Sequence, residues 1–377
     1  MSEKTYKIGI DARSYNWTGI GRYLRNLVRE LVVLDTKNEY TLFLDKEGYE
    51  SFQTPNERIK KVLADIPHYS LSEQIKLPRF LKKEKFDLVH FPHFNMPLTY
   101  KDPFVVTIHD LTLSFFPGQK MTSLAHRVAY QSTIRHACKK AKHIIAVSKN
   151  TKKDLQQLLK ISDEKISVIY EAVESDRYNT QVAPAKIEEV KKKYNIRKPY
   201  LMYIGVWRNH KNILGMLSGF AKILERGLDY QLVMTGKPDP HYPEVMQKIK
   251  ELGIEKNVVL AGFVPEEELP VFLQGCDLFV FPSFYEGFGL PPLEAMATGC
   301  PVVASNTSCM PEILGDAAEY FDPYEPEDIA RALEKVLRNR ALSEELRRKG
   351  LERVKRFSWQ AMAKSTLEVY KKVLNQT

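Results

Sequence analysis

The sequence predicts an α/β protein with two doubly wound domains, each built on a parallel sheet that is covered by helices. Short apolar runs that suit buried strands alternate with helical stretches in both halves of the chain. A length of 377 residues is comfortable for two domains and long for one. The polar stretch from Glu171 to about Glu188 shows no strong periodicity and is the predicted linker. We therefore expect domains over residues 1–175 and 176–357, followed by a terminal helix over 358–377.

The predicted elements follow this alternation in chain order. In the first half we expect strands at Tyr6–Ile10, Glu39–Leu44, Arg58–Leu63, Asp87–Phe91, Phe104–Ile108, Ile144–Val147 and Ile166–Tyr170, and helices at Arg22–Leu34, Ser72–Lys83, Thr122–Lys140 and Lys149–Leu159. Ser72 is the expected cap of its helix. In the second half we expect strands at Tyr200–Ile204, Gln231–Thr235, Val258–Ala261, Leu278–Phe281 and Pro301–Ala304, and helices at Ile213–Arg226, His241–Leu252, Glu266–Gly275, Pro292–Thr298, Glu327–Arg338, Ser343–Phe357 and Ser358–Leu374.

Composition and charge argue against several protein classes. No apolar run approaches the ~20 residues of a membrane span, and the first residues lack the apolar centre of a signal peptide. Cys276 and Cys300 fall in predicted buried strands, and the four cysteines form no closely spaced metal-binding pair. The formal net charge of +9 comes without a nucleic-acid-binding signature, so we expect no nucleic-acid partner. These features favour a reducing, cytoplasmic location.

One stretch, Val280 to Ser305, carries Glu286 and Glu294 between two predicted strands. Glycines let the loop bend after the first strand, and a Pro-Pro pair suits the first turn of a helix. Glu286 is then expected on the loop above the strand's carboxyl end, and Glu294 in the first turn of the helix. Ligands of open α/β sheets bind at that edge, where carboxylates can accept hydrogen bonds from sugar hydroxyls. A single glutamate would indicate only a charged helix start, but the pair indicates a nucleotide-linked ligand.

The same stretch resembles the retaining glycosyltransferases of family 4, which have the GT-B fold. The family signature E-G-F-G-L-P-x-L-E-A-M-A-x-G-x-P-V-V-A-S runs through residues 286–305 with nearly every position present. The resemblance implies an acceptor-side and a nucleotide-sugar-binding Rossmann-like domain, a cleft between them, and a terminal helix that packs back on the first domain. It also implies that the donor site includes, beside the two glutamates, Gly287, Phe288, Gly289 and Leu290.

Two further motifs of the second half carry the resemblance. Arg208 and Lys211 lie three residues apart on a loop that enters a helix. Two cations there can neutralise a leaving diphosphate, although two surface cations are the alternative interpretation. The family pattern Gly-x(2–3)-Arg-x-x-Lys favours the functional interpretation. By the same resemblance Gly236, Phe263 and Val264, at the ends of two strands, are expected to hold the base.

The first half contributes a glycine loop and several histidines. Gly19 and Gly21 are expected in a loop between the first strand and helix; they form no dinucleotide fingerprint, but the family has a donor-facing glycine loop here. His109 follows a strand, where a lone histidine is often structural and where the family has a histidine that contacts the donor sugar. His90 and His93 lack a third ligand, so no metal is expected, and the resemblance implies none. The expected acceptor wall consists of Trp17, His93 and Asn95.

The resemblance implies a retaining hexosyltransferase with four catalytic residues: Glu286, His109, Arg208 and Lys211. The segments GIDAR…TGIGRY and HFPHFNMPL…TIHDLT look most like mannosyltransferases of polysaccharide or O-antigen assembly. GDP-mannose is therefore favoured over a UDP-hexose as the donor, no cofactor or metal is expected, and the acceptor is a hydroxyl of a glycan or a polyprenyl-linked glycan. The alternatives are a UDP-hexose-dependent transferase, a GT-B sugar-nucleotide epimerase and a non-catalytic nucleotide-sugar-binding subunit.

Basic residues of the first half suggest peripheral contact with an anionic membrane. Arg127, Arg135, Lys139 and Lys140 lie on one predicted helix, and Lys82, Lys83 and Lys85 end another. Each Lys or Arg near an anionic membrane contributes about 1 kcal/mol to binding. A lipid-linked acceptor would place this surface at the inner face of the cell membrane. An ordinary solvated helix face is the equally open alternative.

Overall fold

The computed structural model describes residues 4–118, 123–179, 181–236 and 242–376, which form two compact units. The first unit contains residues 4–114, 123–171 and 358–376. The second contains residues 115–118, 172–179, 181–236 and 242–357. The predicted helix starts at Thr122 and His241 lie outside the described residues.

The first unit is a parallel sheet of seven strands in the order β3-β2-β1-β4-β5-β6-β7. Its strands are β1 Lys7–Asp11, β2 Glu39–Leu44, β3 Ile59–Leu63, β4 Leu88–Phe91, β5 Phe104–Ile108, β6 His143–Ala146 and β7 Ile166–Val168. Ile8 of β1 lies opposite Tyr40 of β2 and Leu88 of β4. The helices of this part of the chain are α1 Gly19–Leu34, α2 Lys46–Ser51, α3 Leu71–Glu84, α4 Thr112–Phe115, α5 Leu124–Lys140 and α6 Lys149–Leu159.

The second unit is a sheet of six strands in the order β10-β9-β8-β11-β12-β13, all paired in parallel. Its strands are β8 Tyr200–Tyr203, β9 Gln231–Thr235, β10 Val258–Gly262, β11 Leu278–Phe281, β12 Val302–Ser305 and β13 Ala318–Phe321. The helices are α7 Ser175–Tyr178, α8 Pro184–Lys193, α9 Ile213–Glu225, α10 Glu244–Glu251, α11 Leu269–Gly275, α12 Leu290–Ala297, α13 Met310–Leu314, α14 Pro326–Arg338 and α15 Arg340–Val354.

Burial explains why short apolar runs formed these sheets. Strands β4, β5, β11 and β12 are buried along their whole length, as strands of a parallel sheet covered on both faces should be. In the first unit α3, α5 and α6 share one core through Leu77, Ile134 and Leu155. Cys276 and Cys300 are buried, and each lies two residues before a strand (β11 and β12) and not within one, with their Sγ atoms 3.1 Å apart.

The last helix, α16 (Trp359–Leu374), belongs to the first unit. Ser358 caps it by accepting a hydrogen bond from the Ala361 N–H at 3.3 Å. Its Tyr370 hydroxyl lies 2.7 Å from Nδ1 of the buried His90 in β4. The helix thus packs on the unit that contains the beginning of the chain. None of the helices in the described part of the chain is long and apolar enough to cross a membrane.

The predicted fold class is confirmed, while several local predictions are wrong. Ser70 caps α3, accepting from the Glu73 N–H at 3.1 Å, so the cap lies two residues before the predicted Ser72. The expected linker 171–188 contains α7 and the start of α8, whose first residue is Pro184. Strand β13 was not predicted, because Glu319 interrupts its short apolar pattern and pairs with Arg331.

Each sheet has one place where the strand order reverses. In the first sheet β2 and β3 lie on one side of β1, and β4 to β7 lie on the other side. In the second sheet β9 and β10 lie on one side of β8, and β11 to β13 lie on the other side. At such a switch point the loops that leave neighbouring strands diverge and leave a crevice at the carboxyl edge, where ligands bind. The fold therefore singles out the loops after β1 and β4, and those after β8 and β11.

Candidate active site

Lys211 and Glu286 form an ion pair at the switch point of the second unit. Lys211 Nζ lies 2.6 Å from Glu286 Oε1, and each side chain is 14% exposed. Lys211 ends the 3₁₀ turn Asn209–Lys211 after β8, and Glu286 follows β11. The Phe284 N–H donates to the His210 carbonyl at 2.7 Å and joins the two loops. The fold thus brings the predicted cation and the predicted carboxylate together. Lys211 is mostly buried, unlike the exposed surface cation of the alternative interpretation.

Arg208 lies directly before that turn, beside a cavity. Its guanidinium carbon lies 5.6 Å from the centre of the Tyr242 ring, within range of a cation–π contact. The two side chains line a cavity of about 360 Å³ together with Asn212, Leu214 and other residues of the same unit. Asn212 has φ +50° and caps α9 by accepting from the Gly215 N–H. The tight turn between β8 and α9 therefore sets the position of the Arg208–Lys211 segment.

Helix α12 begins on a glycine whose backbone conformation disfavours any other residue. Gly289 has φ +90°, and an added Cβ would lie 2.4 Å from Cε of Met310. Leu290 is the first helical residue, so Glu294 lies in the second turn and is 3% exposed. The predicted first-turn position is wrong because the helix begins before the Pro-Pro pair. Gly287 lies in the loop between Glu286 and this helix start.

The other predicted donor residues differ in exposure. The Phe288 ring packs on Phe357 with centroids 5.6 Å apart and is 4% exposed, so only its backbone could contact a ligand. Gly236 directly follows β9, and its N–H donates at 2.8 Å to the carbonyl of the glycine that ends β10. Phe263, which follows β10, is 72% exposed, whereas Val264 is 7% exposed. Of these side chains, the Phe263 ring is the one available for stacking.

A buried ionic cluster lies at the switch point of the first unit. Arg13 donates to Asp11 at 2.6 and 2.8 Å and to Glu73 at 2.7 Å. Asn95, in the loop after β4, donates to both Glu73 oxygens at 2.9 Å. Burial raises the pKa of Asp11, but the charge and hydrogen bonds of Arg13 outweigh burial and lower it. Of the four side chains, sequence reasoning identified Asn95 alone.

Aromatic rings surround this cluster. The Trp17 and His68 rings lie 4.7 Å apart, and those of Tyr69 and His93 lie 6.1 Å apart. Tyr69 has φ +60°, its N–H donates to Glu73 at 2.9 Å, and 62% of the residue is exposed. Burial, with the nearby His109 and His68, lowers the pKa of His93 to about 3. The predicted Trp17, His93 and Asn95 are thus brought together, and His68 and Tyr69 join them.

His109 is held between two hydrogen-bond acceptors. Its Nδ1 lies 2.8 Å from a Glu171 carboxylate oxygen, and its Nε2 lies 2.9 Å from the Pro92 carbonyl oxygen. Both ring nitrogens must donate to satisfy both partners, which requires the imidazolium form. Burial lowers the pKa of His109, but the hydrogen bond and charge of Glu171 outweigh burial and raise it. Glu171 was expected to begin the linker, so its role here was not predicted.

We expect the His109–Glu171 pair to stabilise the fold most at low pH. A histidine whose pKa is raised by folding contributes stability that is fully present below its ordinary pKa of about 6.5 and is lost as the pH rises through the folded value. Glu171→Gln should therefore lower the melting temperature most below about pH 6.5, with a difference that shrinks at alkaline pH. Melting curves across this range measure the effect, with the exposed Glu164→Gln as the control. A pH-independent difference would mean that His109 stays neutral.

The glycine loop of the first half differs from the prediction. Helix α1 begins at Gly19, so Gly19 and Gly21 lie in its first turn and not in a preceding loop. A Cβ on Gly21 would lie 2.5 Å from the Tyr15 carbonyl oxygen, so this glycine lets the preceding turn pack against the helix. Gly19 has open space around its Cβ position. Gly21 is thus explained by packing, while Gly19 lies at an exposed helix start.

His90, half of the predicted histidine pair, is fully engaged inside the first unit. Its Nδ1 lies 2.7 Å from the Tyr370 hydroxyl and its Nε2 lies 2.8 Å from Thr107 Oγ1. Both nitrogens of this ring are therefore occupied, and it is not available as a metal ligand. Across the residues that the structure describes, no three His, Cys, Asp or Glu side chains group as a metal site would require.

Comparison with known proteins identifies the family. The profiles described as Glycosyltransferase Family 4 and Glycosyl transferases group 1 match residues 17–177 and 186–353. O-antigen chain mannosyltransferase B of Escherichia coli is 30% identical over 375 residues, covering 95% of this chain and 97% of that protein. The chain belongs to glycosyltransferase family 4.

Other family relatives and solved structures extend the comparison. O-antigen chain mannosyltransferase RfbU of Salmonella typhimurium is 26% identical over 298 residues, or 78% of each chain. Sucrose-phosphate synthase of Thermosynechococcus elongatus superposes with a TM-score of 0.79 at 18% identity, over 99% of this chain and 100% of that one. Anabaena HepE in complex with UDP and glucose gives 0.77 at 18% identity, over 97% and 100%. The predicted GT-B fold is confirmed.

In this glycosyltransferase the Glu286 loop is fixed by hydroxyl groups at the end of β12 and in the residues that follow it. The Ser308 hydroxyl accepts from the Glu286 N–H at 3.0 Å and donates to the Glu286 carbonyl at 2.5 Å. Ser305 and Thr307 donate to carbonyls three and two residues before Glu286, at 2.6 and 3.0 Å respectively. Ser308 adopts this position with φ +58°. Sequence reasoning missed it, because a run of small polar residues after the motif suggests only a loop.

We expect Ser308 to position Glu286 for turnover. Ser308→Gly removes the hydroxyl and still tolerates the positive φ, so it should lower kcat about tenfold with a smaller change in KM, because the loop loses its two-point anchor. Ser218→Ala, which removes a hydroxyl bonded within α9 of the same unit, is the control. Steady-state kinetics measure the split. If Ser308→Gly keeps the wild-type kcat, the Glu286 loop is held without this hydroxyl.

Proposed function

We propose that this family 4 enzyme transfers mannose from GDP-mannose to a hydroxyl of a glycan or polyprenyl-linked glycan, with retention of the anomeric configuration. The observation that carries the proposal is the Lys211–Glu286 pair, which combines a cation and a carboxylate at the switch point of one sheet. Relatives named O-antigen mannosyltransferases support mannose as the sugar. A lipid-linked acceptor would bring the enzyme to the cytoplasmic face of the membrane.

In this proposal the second unit binds the donor without a metal ion. Arg208 binds the diphosphate as a fork and Lys211 as a point charge, and both stabilise the charge that develops on the leaving group. An ammonium has three donors, so Lys211 can bind Glu286 and a phosphate oxygen together. Glu286 accepts hydrogen bonds from sugar hydroxyls, Glu294 accepts from the ribose, and the exposed Phe263 ring stacks on the base. The leaving diphosphate oxygen accepts the proton of the attacking hydroxyl.

The first unit would supply the acceptor surface and the charged His109 imidazolium. The Trp17 and Tyr69 rings, 38% and 62% exposed, offer flat apolar faces to the C–H face of a sugar ring. Glu73 of the buried Asp11–Arg13–Glu73 cluster accepts hydrogen bonds from Asn95 and from the Tyr69 backbone. The cluster therefore fixes this part of the acceptor surface in place. His109 in its imidazolium form can donate to an oxygen of the donor sugar only if it exchanges the Pro92 carbonyl for that oxygen.

Thermal-shift measurements against sugar nucleotides test the proposal. A ligand at 100 times its Kd adds about 2.7 kcal/mol of stability. We expect GDP-mannose to raise the melting temperature more than UDP-glucose or UDP-galactose. The reverse order would identify a UDP-hexose enzyme, and no shift across the panel would contradict nucleotide-sugar binding.

Product analysis separates the remaining alternatives. Incubation with GDP-mannose and a mannose-terminated acceptor should yield an elongated glycan with an α-linkage, the configuration of the donor. Rapid release of GDP and free sugar without an acceptor would indicate the epimerase class, and binding without any turnover would indicate a binding subunit. An inverted linkage would contradict retention.

A further inference from the structure

We propose that the first unit docks on an anionic lipid bilayer through the first two turns of α3 and α5 and the loop residue Leu98. We call this the docking surface, and it consists of Leu71, Ile75, Leu98, Leu124 and Val128. The inference rests on the proposed function in one respect, because a polyprenyl-linked acceptor would require such a contact. It goes beyond that function by naming the side chains that enter the membrane.

Large apolar side chains are exposed in two pairs on these helices. Leu71 and Ile75 of α3 are 83% and 54% exposed, and Leu124 and Val128 of α5 are 77% and 55% exposed. A spacing of four residues places the members of each pair on the same side of their helix. Residues 123–129 are exposed at every position, so no other part of the described chain covers the start of α5. Exposed apolar residues grouped in this way mark an interaction surface.

The two helix starts belong to one continuous region. Both helices pack into the core on one side of the sheet, and as crossovers between parallel strands both begin at its carboxyl edge. The Phe94 ring lies 6.4 Å from the ring of Tyr69, which is two residues before α3. It also lies 5.1 Å from the ring of Tyr130 in α5. Leu98, 38% exposed, donates its N–H to Gln74 of α3 at 2.9 Å. The Leu98 backbone also lies next to the His136 ring of α5, so Leu98 lies between the helices.

Charge identifies the partner as anionic. The sequence of α5, Leu124 to Lys140, contains no Asp or Glu. The exposed Lys and Arg side chains closest along the helices to the apolar pairs are Lys76 and Arg79 on α3 and Arg127 on α5. Toward the other ends of the two helices lie the exposed Lys82, Lys83, Arg135, Lys139 and Lys140 and the exposed acid Glu84. Apolar residues on a helix surface rich in Lys and Arg are typical of interfacial membrane binding. A second copy of the chain on this surface would bring like charges together, so a bilayer fits better than a dimer.

Vesicle co-sedimentation with a matched variant tests the docking surface. The wild-type enzyme should bind vesicles of phosphatidylglycerol and phosphatidylcholine, and bind vesicles of phosphatidylcholine alone more weakly. Leu124→Ser with Val128→Ser should lower the partition coefficient by about tenfold or more, because apolar area is lost from the interface. Val33→Ser, which changes a 67% exposed valine on α1, is the control and should bind like the wild type. Failure of the wild type to bind, or equal binding by the double variant, overturns the proposal.

Two further measurements keep the outcomes distinct. Melting curves with and without GDP-mannose check that the double variant is folded and binds the donor like the wild type. If the double variant loses vesicle binding but GDP-mannose still raises its melting temperature, the result supports docking. If GDP-mannose stabilises the wild type but the wild type does not bind vesicles, docking is refuted and the proposed function is unaffected. Size-exclusion chromatography covers self-association. A dimer that the double variant abolishes, without vesicle binding by the wild type, assigns the surface to a second copy and overturns the lipid proposal.

Discussion

Replacing Arg208 and Lys211 together with alanine should lower kcat by roughly 10²-fold or more, the scale of losing a preorganised charge-stabilising donor. These side chains would act on the diphosphate as it leaves, when its negative charge is greatest. Nucleotide affinity should fall less than kcat, because part of the interaction forms only in the transition state. Single-turnover kinetics and calorimetric titration of GDP measure the two effects separately.

The structure changes what this experiment needs as a control. Lys211 is mostly buried and bonded to Glu286, so Lys211→Ala leaves a carboxylate without its cation and should also lower the melting temperature. Lys211→Arg keeps the charge and should recover much of the stability but less of the rate, since the geometry of a guanidinium differs. Lys198→Ala, an exposed lysine paired with Asp229 in the same unit, controls for loss of one surface charge. Near-normal transfer by the double alanine variant would mean that the diphosphate binds elsewhere.

The fold was predictable because its signal is local. Buried strands such as β5 and β11 are uninterrupted apolar runs, and their regular alternation with helices leaves few arrangements other than parallel sheets. The failures occur where burial is slight. Helix α8 buries Val190 alone, so its sequence shows little periodicity and its first residues fall in the predicted linker. Strand β13 includes Glu319, whose partners Arg331 and Lys335 lie on a later helix.

The candidate site shows the same contrast between residues that a local sequence pattern reveals and residues that it does not. Glu286, Lys211 and Arg208 were found because short motifs carry them, and the fold needed only to bring two adjacent loops together. The missed residues act over distances that no motif spans: Arg13 meets Glu73 60 positions later, His109 meets Glu171 62 positions later, and Ser308 meets Glu286 22 positions earlier. Such contacts follow from strand order, which determines the loops that share a crevice.

The two glutamates of the second unit should fail in different ways. Glu286 is bonded to Lys211 on the loop after β11, where the proposed function has it hold the transferring sugar. Glu294 lies buried in α12, where it would hold the ribose, which does not react. A contact to a group that does not react is felt equally in the ground and transition states, so its loss acts mainly on binding. A contact that positions the reacting ring acts mainly on kcat.

Glu286→Gln should therefore lose kcat while GDP binds as it does to the wild type, because GDP lacks the sugar that Glu286 would hold. Glu294→Gln should weaken GDP binding by ~1–3 kcal/mol, the range for a hydrogen bond to a charged group. Calorimetric titration and steady-state kinetics measure both, with the exposed Glu345→Gln on α15 as the control and melting curves to verify folding. Loss of GDP affinity in Glu286→Gln but not in Glu294→Gln would reverse the two roles. Unchanged binding and rate in both variants would reduce this loop and helix to a structural element, because a donor site at this switch point cannot lose both carboxylates without effect.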